Sequence, residues 1–127
     1  RARQVSDLRE GTMTAPTFSR DGRAAAFVAG TLERPNEVHV AALRPDDRRA
    51  RWEPRRLTDH NAHVRQLALG RGEVVRWTSR DGVAVEGLVV YPVGYEPGRR
   101  YPTVAFIHGG PAGVWSAGFP AGWGNFA

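Results

Sequence analysis

The stretch "TVAFIHGGP" (103–111) decides how this sequence is interpreted. Residues 103–107 are apolar or β-branched without alternation, which predicts a strand covered on both faces, as in a parallel sheet. A histidine, two glycines and a proline follow directly where this strand is predicted to end. Because ligands of open α/β sheets bind beyond the carboxyl ends of the strands, this loop lies where a functional site is expected.

The two glycines of the loop favour close approach of the backbone to a substrate. Gly109 and Gly110 have no Cβ, so their N–H groups are accessible and their φ and ψ angles are unrestricted. Such N–H groups suit an oxyanion hole, and in α/β-hydrolases one donor comes from the loop after the third strand, where an HGGG-type motif lies. The alternative is a tight turn without chemistry. For His108 we expect a structural role as a brace of the loop.

The region before this loop reads as an antiparallel hairpin. Residues 73–92 alternate on both sides of Asp81-Gly82, a dipeptide that favours a tight turn. After a polar connection, the predicted strand at 103–108 is then the third strand of this half. A Gly-Arg-Gly segment at 70–72 precedes the hairpin and is the predicted domain boundary.

The first half of the chain reads as a meander of short strands. Residues 15–30 predict a strand, a turn at Asp21-Gly22 and a second strand, and 37–43 and 54–59 predict two more. The Asp-Gly turn is expected to place both central residues at positive φ. "SRDG" occurs at the start of this turn and again in the later hairpin, which indicates one turn chemistry used twice. A blade of a β-propeller is the commonest home for such a meander.

Two segments of the second half resemble the prolyl oligopeptidase family of serine peptidases. "WTSRDGVAVEGLVVYP" (77–92) and "RYPTVAFIHGGP" (100–111) are similar to the entry of its catalytic domain. The nearest branch is the bacterial one that includes acylaminoacyl-peptidases and dipeptidyl-peptidase-like enzymes. Upstream, "PTFSRDGRAAAFVA" (16–29), "PNEVHV" (35–40) and "RLTDHN" (56–61) are similar to the last propeller blade of that branch.

The resemblance implies a fragment of a two-domain protein that is mostly β in this part. Residues 1–70 would be the end of the β-propeller, and 71–127 the first strands of an α/β-hydrolase sheet, truncated before the nucleophile. Gly110 would be the oxyanion-hole donor, with Gly109 and His108 shaping the loop. The family's catalytic Ser, Asp and His would all lie elsewhere.

No residue of this chain fits the catalytic triad. Ser116 in "GVWSAG" has Gly118 two residues after it but valine two before it, so it is not in a G-x-S-x-G elbow. His60 and His63 have i, i+3 spacing but no third ligand at a useful distance in sequence, so we expect no metal site. We expect no cofactor either.

Composition restricts the classes of protein and partner. The 127 residues include no cysteine, which excludes disulfides and thiolate chemistry. All 18 basic residues are arginine and none is lysine, which indicates a coding bias. The net charge of +5 is therefore not interpreted as a nucleic-acid-binding surface, and no nucleic-acid partner is expected. No run of eighteen apolar residues exists, so no membrane partner is expected. Localisation is undetermined, with the cytoplasm as the default.

The sequence thus predicts part of a serine peptidase that hydrolyses short peptides by acyl transfer. The chain alone is expected to be inactive, to need the rest of its own chain, and to aggregate or remain partly unfolded in isolation. Homo-oligomerisation is left open. Two alternatives also remain open, an esterase or lipase-like α/β-hydrolase and a non-catalytic β-propeller-type interaction module.

Overall fold

In a computed structural model, residues 11–42, 53–110 and 112–120 are described, and they form a mostly β structure. One sheet has four strands and the other has two, and every strand pair is antiparallel. A short 3₁₀ helix, Ala62–Gln66, lies between the two sheets in sequence. Within the described ranges, no helix is long and apolar enough to cross a membrane.

The four-stranded sheet confirms the predicted meander. Its strands are hydrogen-bonded in sequence order, so consecutive strands are neighbours, and the segments predicted at 15–30, 37–43 and 54–59 each contribute. The strands are β1 (Thr12–Phe18), β2 (Ala24–Gly30), β3 (Glu37–Ala42) and β4 (Arg55–Arg56). The assignment of this sheet to a propeller remains a proposal.

The core of the four-stranded sheet lies on one face. Alternate residues of β2, namely Ala25, Phe27 and Ala29, are buried, as their period-2 spacing requires. Ala41 is paired with Ala25 across the β2–β3 ladder and is also buried. His39 is paired with Phe27, and their rings stack with centroids 5.8 Å apart. This face therefore holds an apolar centre with an imidazole at its border.

A β-bulge interrupts β1 near its middle. Thr14 pairs with Val28 and Thr17 with Ala26, so three steps along β1 match two steps along β2. Ala15 lies inside the bulge at φ 49°, in the left-handed region that L-residues other than glycine seldom adopt. In a regular strand, residues an odd number of positions apart face opposite sides of the sheet. Because of the extra residue, Met13 and Phe18 face the same side.

The second sheet is the hairpin predicted at 73–92. It consists of β5 (Gly72–Thr78) and β6 (Ala84–Val90), paired in continuous register from Gly72 opposite Val90 to Thr78 opposite Ala84. Trp77 lies over Gly87, where a Cβ would stand 3.1 Å from the indole. Glycine at 87 thus makes room for the largest side chain of the hairpin.

The two "SRDG" segments do form turns, but not the predicted two-residue turn. In each, the glycine amide donates to the serine carbonyl three residues earlier, at 2.9 Å for Gly22 and 3.0 Å for Gly82. Only the glycines have positive φ, 68° and 85°, and neither aspartate does. Each turn is therefore centred on Arg-Asp, followed by a left-handed glycine.

The aspartate side chains explain this correction. Asp21 accepts hydrogen bonds from the Ser19 hydroxyl at 2.6 Å and the Arg23 amide at 3.1 Å, which holds it in a local turn of its own. These bonds lower the pKa of Asp21, first through the Ser19 hydroxyl. In the second turn the Ser79 hydroxyl donates to Asp81 in the same way.

The predicted strand at 103–108 is not formed. The segment has no regular secondary structure, and Ile107 is 92% exposed. A strand requires ladder hydrogen bonds to a neighbour, and a parallel neighbour is reached through a crossover of a dozen or more residues. No such neighbour lies among residues 11–42, 53–110 and 112–120. An apolar run of this kind predicts that the segment is buried, but it does not identify the neighbouring strand that a sheet requires.

The two sheets touch at the start of β5. The Gly72 amide donates to a Glu33 carboxylate oxygen at 3.0 Å, and a Cβ on Gly72 would stand 2.4 Å from the Leu32 side chain. The turn between β2 and β3 thus contacts the first residue of the hairpin. The domain boundary at Gly70–Gly72 remains a prediction.

Candidate functional site

The glycine-rich loop begins at the exposed end of residues 103–108. His108, Gly109 and Gly110 are all exposed, and Gly110 starts a turn. Gly110 has φ 124°, a conformation that L side chains rarely adopt, so a glycine is required there. Pro111, the last residue of the motif, lies outside the described residues.

The amide groups of the two loop glycines are accessible. Among residues 11–42, 53–110 and 112–120, no group accepts a hydrogen bond from the amide of Gly109 or Gly110. A Cβ placed on Gly109 would meet nothing within 4 Å. Both amides are therefore left to bind a group from outside this part of the chain, which is the chemical requirement for an oxyanion donor.

The chain turns back on itself after Gly110. A Cβ on Gly113 would stand 2.4 Å from the Gly109 carbonyl oxygen and 3.1 Å from Nδ1 of His108. Gly110 contacts the same residue, since its own Cβ would lie 3.3 Å from the Gly113 nitrogen. The exposed His108 thus lies next to Gly113 across the loop, and its role as a brace remains a prediction.

Two consecutive turns bring the chain from β6 to this loop. The Tyr95 amide donates to the Pro92 carbonyl at 3.1 Å, and the Arg99 amide donates to the Glu96 carbonyl at 3.3 Å. The third residue of each turn is a glycine at positive φ, Gly94 at 72° and Gly98 at 84°. Both turns have the type II pattern, which requires glycine at that position.

A stack of three tyrosines holds these turns together. The ring centroids of Tyr91 and Tyr95 are 4.5 Å apart, and those of Tyr95 and Tyr101 are 5.4 Å apart. The guanidinium of Arg71 covers Tyr91 at 4.8 Å, and that of Arg99 covers Tyr101 at 5.4 Å. Each aromatic pair of this kind contributes about 0.5–1.5 kcal/mol beyond burial, so the connection has a defined course.

The first tyrosine of the stack is tied to the hairpin. The Tyr91 hydroxyl donates to a Glu73 carboxylate oxygen at 3.1 Å, and Arg71 binds the same oxygen at 2.8 Å. The bond to Glu73 raises the pKa of the Tyr91 hydroxyl, and burial acts in the same direction. The sequence analysis did not identify this group. The sequence feature that could have indicated the tyrosine stack is the spacing of the three tyrosines around two turns that contain proline and glycine.

A second polar group that the sequence analysis missed lies at the start of β3. Glu37 is 7% exposed, and its carboxylate accepts hydrogen bonds from the Thr58 hydroxyl, the Asn61 amide at 2.9 Å and the Asn61 side chain at 3.1 Å. The Thr58 bond is the largest cause that lowers the pKa of Glu37 to about 2. Each of these partners belongs to the segment that follows β4, so this carboxylate acts as a clamp for that segment.

Two clefts flank these elements. One of about 500 Å³ is lined by Glu37, His39, Arg56, Asp59 and Arg65 among others. Two of its three arginines, Arg56 and Arg65, bind Asp59, whose pKa is lowered mainly by the hydrogen bond from Arg65. The lining also holds Glu33, Arg34 and Glu37, so its acidic and basic side chains balance in formal charge.

The other cleft, of about 630 Å³, lies beside the segment that follows the glycine-rich loop. Its walls come from the β2–β3 turn, the first residues of β5 and Ala117. Gly118 also contacts β1, because a Cβ at 118 would stand 2.9 Å from the Thr12 hydroxyl oxygen. The chain thus returns from the loop to the junction of the two sheets.

The structure does not bring a catalytic triad together. Ser116 is exposed, and within the described ranges it has no hydrogen-bonded base. His39 is stacked on Phe27, and its Nδ1 lies 3.0 Å from the Glu37 carbonyl oxygen. In the same described ranges, no group of three or more His, Cys, Asp or Glu side chains is arranged to hold a metal ion, His60 and His63 included.

Comparison with known proteins gives short matches to peptidases. The chain is 38% identical over 39 residues to dipeptidyl-peptidase 5 of Aspergillus fumigatus, which is 31% of this chain and 5% of that protein. It is 32% identical over 47 residues to a probable dipeptidyl-peptidase 5 of Emericella nidulans, which is 37% of this chain and 6% of that protein. The matched part is thus a small fraction of each curated relative.

No model of a known protein family matches the chain. No solved structure matches it either. The similarity to the two fungal proteins therefore relates short segments of the chain to peptidases, and so to hydrolases, without identifying a subfamily.

Proposed function

We propose that this chain is part of a serine peptidase that hydrolyses short peptides by acyl transfer, and that it contributes the oxyanion-hole loop. Gly110 donates its amide hydrogen to the negative oxygen that develops on the scissile carbonyl. Gly109 and His108 shape the loop. The nucleophile, the base and the orienting acid come from residues outside the 127 residues of this sequence.

The observation that carries the proposal is the state of the loop backbone. Gly110 has a backbone conformation that only glycine adopts easily, and its amide has no acceptor among the described residues. An unused amide alone does not mark this loop, since Gly94 and Gly98 in the type II turns also donate to no described acceptor. Gly110 differs from them in its place in the H-G-G-P motif. An exposed, unused amide in a constrained loop is what transition-state binding requires.

The surrounding elements support the same function. The tyrosine stack and the two type II turns fix the course of the chain up to Tyr101, which limits the paths by which it reaches the loop. The short matches to dipeptidyl-peptidases point to peptide bonds as the target. We further propose that the four-stranded meander is a blade of a β-propeller. The propeller would admit short peptides to the active site and exclude folded proteins.

The isolated chain is expected to be inactive. An oxyanion-hole donor contributes about 10²–10³-fold to kcat, but it acts on a carbonyl that a nucleophile attacks. None of the four serines of the chain lies in a G-x-S-x-G elbow. The 127 residues therefore supply one wall of the site.

The test is covalent labelling of the intact natural protein that contains these residues. A fluorophosphonate probe should label a single serine outside this segment, and mass spectrometry of the labelled peptide identifies it. The chain of 127 residues should not be labelled. Dipeptidyl and N-acylated aminoacyl substrates, compared side by side, then assign the bond that is cut. A folded intact protein that neither reacts with the probe nor cleaves either substrate contradicts the proposal.

A further inference from the structure

The Gly109–Gly110 peptide lies against Gly113 through its carbonyl oxygen. Gly113 lies against the Gly109 carbonyl, so closely that a Cβ at 113 would stand 2.4 Å from the carbonyl oxygen. Real Cβ atoms essentially never approach another heavy atom to less than 3.0 Å. The φ angle of Gly113 is not in the positive region, so glycine is needed here for space and not for backbone conformation.

The geometry of a peptide bond links this contact to the Gly110 amide. The carbonyl oxygen of Gly109 and the N–H of Gly110 belong to the same planar group, and in a trans peptide they point in opposite directions. No described peptide bond is cis. Because Gly113 lies on the carbonyl side, the Gly110 N–H points away from Gly113, to the side where no described acceptor lies.

The His108 imidazole restricts how the loop could relax. Its Nδ1 would lie 3.1 Å from a Cβ at 113, on the same side as the Gly109 carbonyl. An added methyl group would therefore meet the carbonyl and the ring together. We expect the peptide unit to yield, since it can rotate as a plane about its two flanking bonds.

We propose that Gly113 is a positioning residue for the oxyanion hole. By lying behind the Gly109 carbonyl without a side chain, it permits the one orientation of the peptide that presents the Gly110 amide to a substrate. A side chain at 113 turns the peptide and removes the donor. This inference rests on the proposed function for its catalytic consequence, but the orientation of the peptide is a structural claim of its own.

The test compares Gly113→Ala with Ala112→Ser in the intact natural protein. Both changes add one heavy atom to the loop, but residue 112 is exposed and its side chain is not directed at the Gly109 carbonyl by any described contact. The final extent of fluorophosphonate labelling counts the folded sites, and the unfolding midpoint reports overall stability. The labelling rate and kcat report the oxyanion hole, and a crystal structure gives the orientation of the peptide.

For Gly113→Ala we expect the same final labelling, a labelling rate and kcat lower by about 10²-fold, and a KM within about twofold of the parent. The Gly109–Gly110 peptide should be rotated, and Ala112→Ser should behave as the parent. Parent-like rates with an unrotated peptide overturn the inference. If the parent itself is not labelled, the peptidase proposal fails, and a rotated peptide in Gly113→Ala still supports the positioning role.

Discussion

The Thr58 hydroxyl donates a hydrogen bond to the Glu37 carboxylate and accepts one from the Val38 amide at 2.9 Å. One side chain thus connects the start of β3 with the loop that follows β4. Leu57 extends the contact, since its amide donates to the Val38 carbonyl at 2.7 Å. Because β4 itself has only two residues, the edge of the four-stranded sheet is closed by these side-chain and backbone bonds of Thr58 and Leu57.

Replacing Thr58 with valine should destabilise this edge. The change keeps the shape of the side chain but leaves the Val38 amide without its acceptor and removes one donor from the Glu37 carboxylate, which keeps its bonds from Asn61, at a cost of about 1–3 kcal/mol. Amide hydrogen exchange of Val38 in the intact protein measures the local loss. Thr58→Ser, which keeps the hydroxyl, is the matched control and should retain most of the protection. Equal protection in both variants would show that the hydroxyl is not what holds the edge.

Acid should loosen the same edge in a defined range of pH. The ordinary pKa of a glutamate, 4.5, is lowered to about 2 for Glu37, first by the Thr58 hydroxyl and then by the Asn61 amide. A lowered pKa means that the stabilisation is complete above pH 4.5 and is lost as the pH falls from 4.5 towards about 2. Exchange protection of Asn61 should fall in that range. In Glu37→Gln, which has no proton to bind there, the dependence should flatten, and an unchanged slope would contradict the assignment.

Ala15→Gly should stabilise the protein. A residue with a Cβ pays about 1–2 kcal/mol for the left-handed conformation, and glycine avoids this at the expense of about 0.4–1 kcal/mol of unfolded-state entropy. We expect a net gain of about 0.5–1 kcal/mol in the free energy of unfolding of the intact protein. Ala26→Gly, at a position of β2 that has no positive φ, is the control and should lose about 0.5–1 kcal/mol. A loss of stability in Ala15→Gly as well would place Ala15 outside the left-handed region.

Gly110→Ala should lower catalysis more than stability. A side chain is strained at φ 124°, so the backbone must shift and the donor amide with it. We expect kcat to fall by about 10²–10³-fold with little change in KM, as for loss of an oxyanion-hole donor. Gly98→Ala is the control for backbone strain, since Gly98 also has positive φ but lies in the preceding turn, where a Cβ would meet nothing within 4 Å. Equal losses of kcat in both variants would indicate general strain and not a lost donor.

The strand pattern of this protein could be predicted from the sequence because its signals are local. Asp-Gly dipeptides between alternating segments fixed both hairpins, and the observed strands differ from the predicted ones by a few residues at their ends. The bulge at Ala15 had no such signal, since alanine is not a residue that favours positive φ. The turn type was wrong because side-chain bonds of Ser19 and Asp21 decided it.

Long-range contacts account for the rest of what the sequence did not reveal. Glu37 and Thr58 are 21 residues apart, and a periodicity argument does not pair single polar residues over that distance. The apolar residues 103–107 have the opposite problem, because their pattern indicates a covered strand while their cover is not among the described residues. For the site, glycine at 109 and 110 was identified from the motif, whereas Gly113 emerged only from the contact with the Gly109 carbonyl.

The most direct measurement is a crystal structure of the intact protein with a peptidyl phosphonate bound covalently to its nucleophile. The phosphonyl oxygen then stands where the oxyanion forms during acyl transfer. We expect the Gly110 nitrogen to lie about 2.7–3.1 Å from that oxygen, with the N–H directed at it. A Gly110 amide directed away from the adduct, with the oxygen bound by other donors, would contradict the central claim.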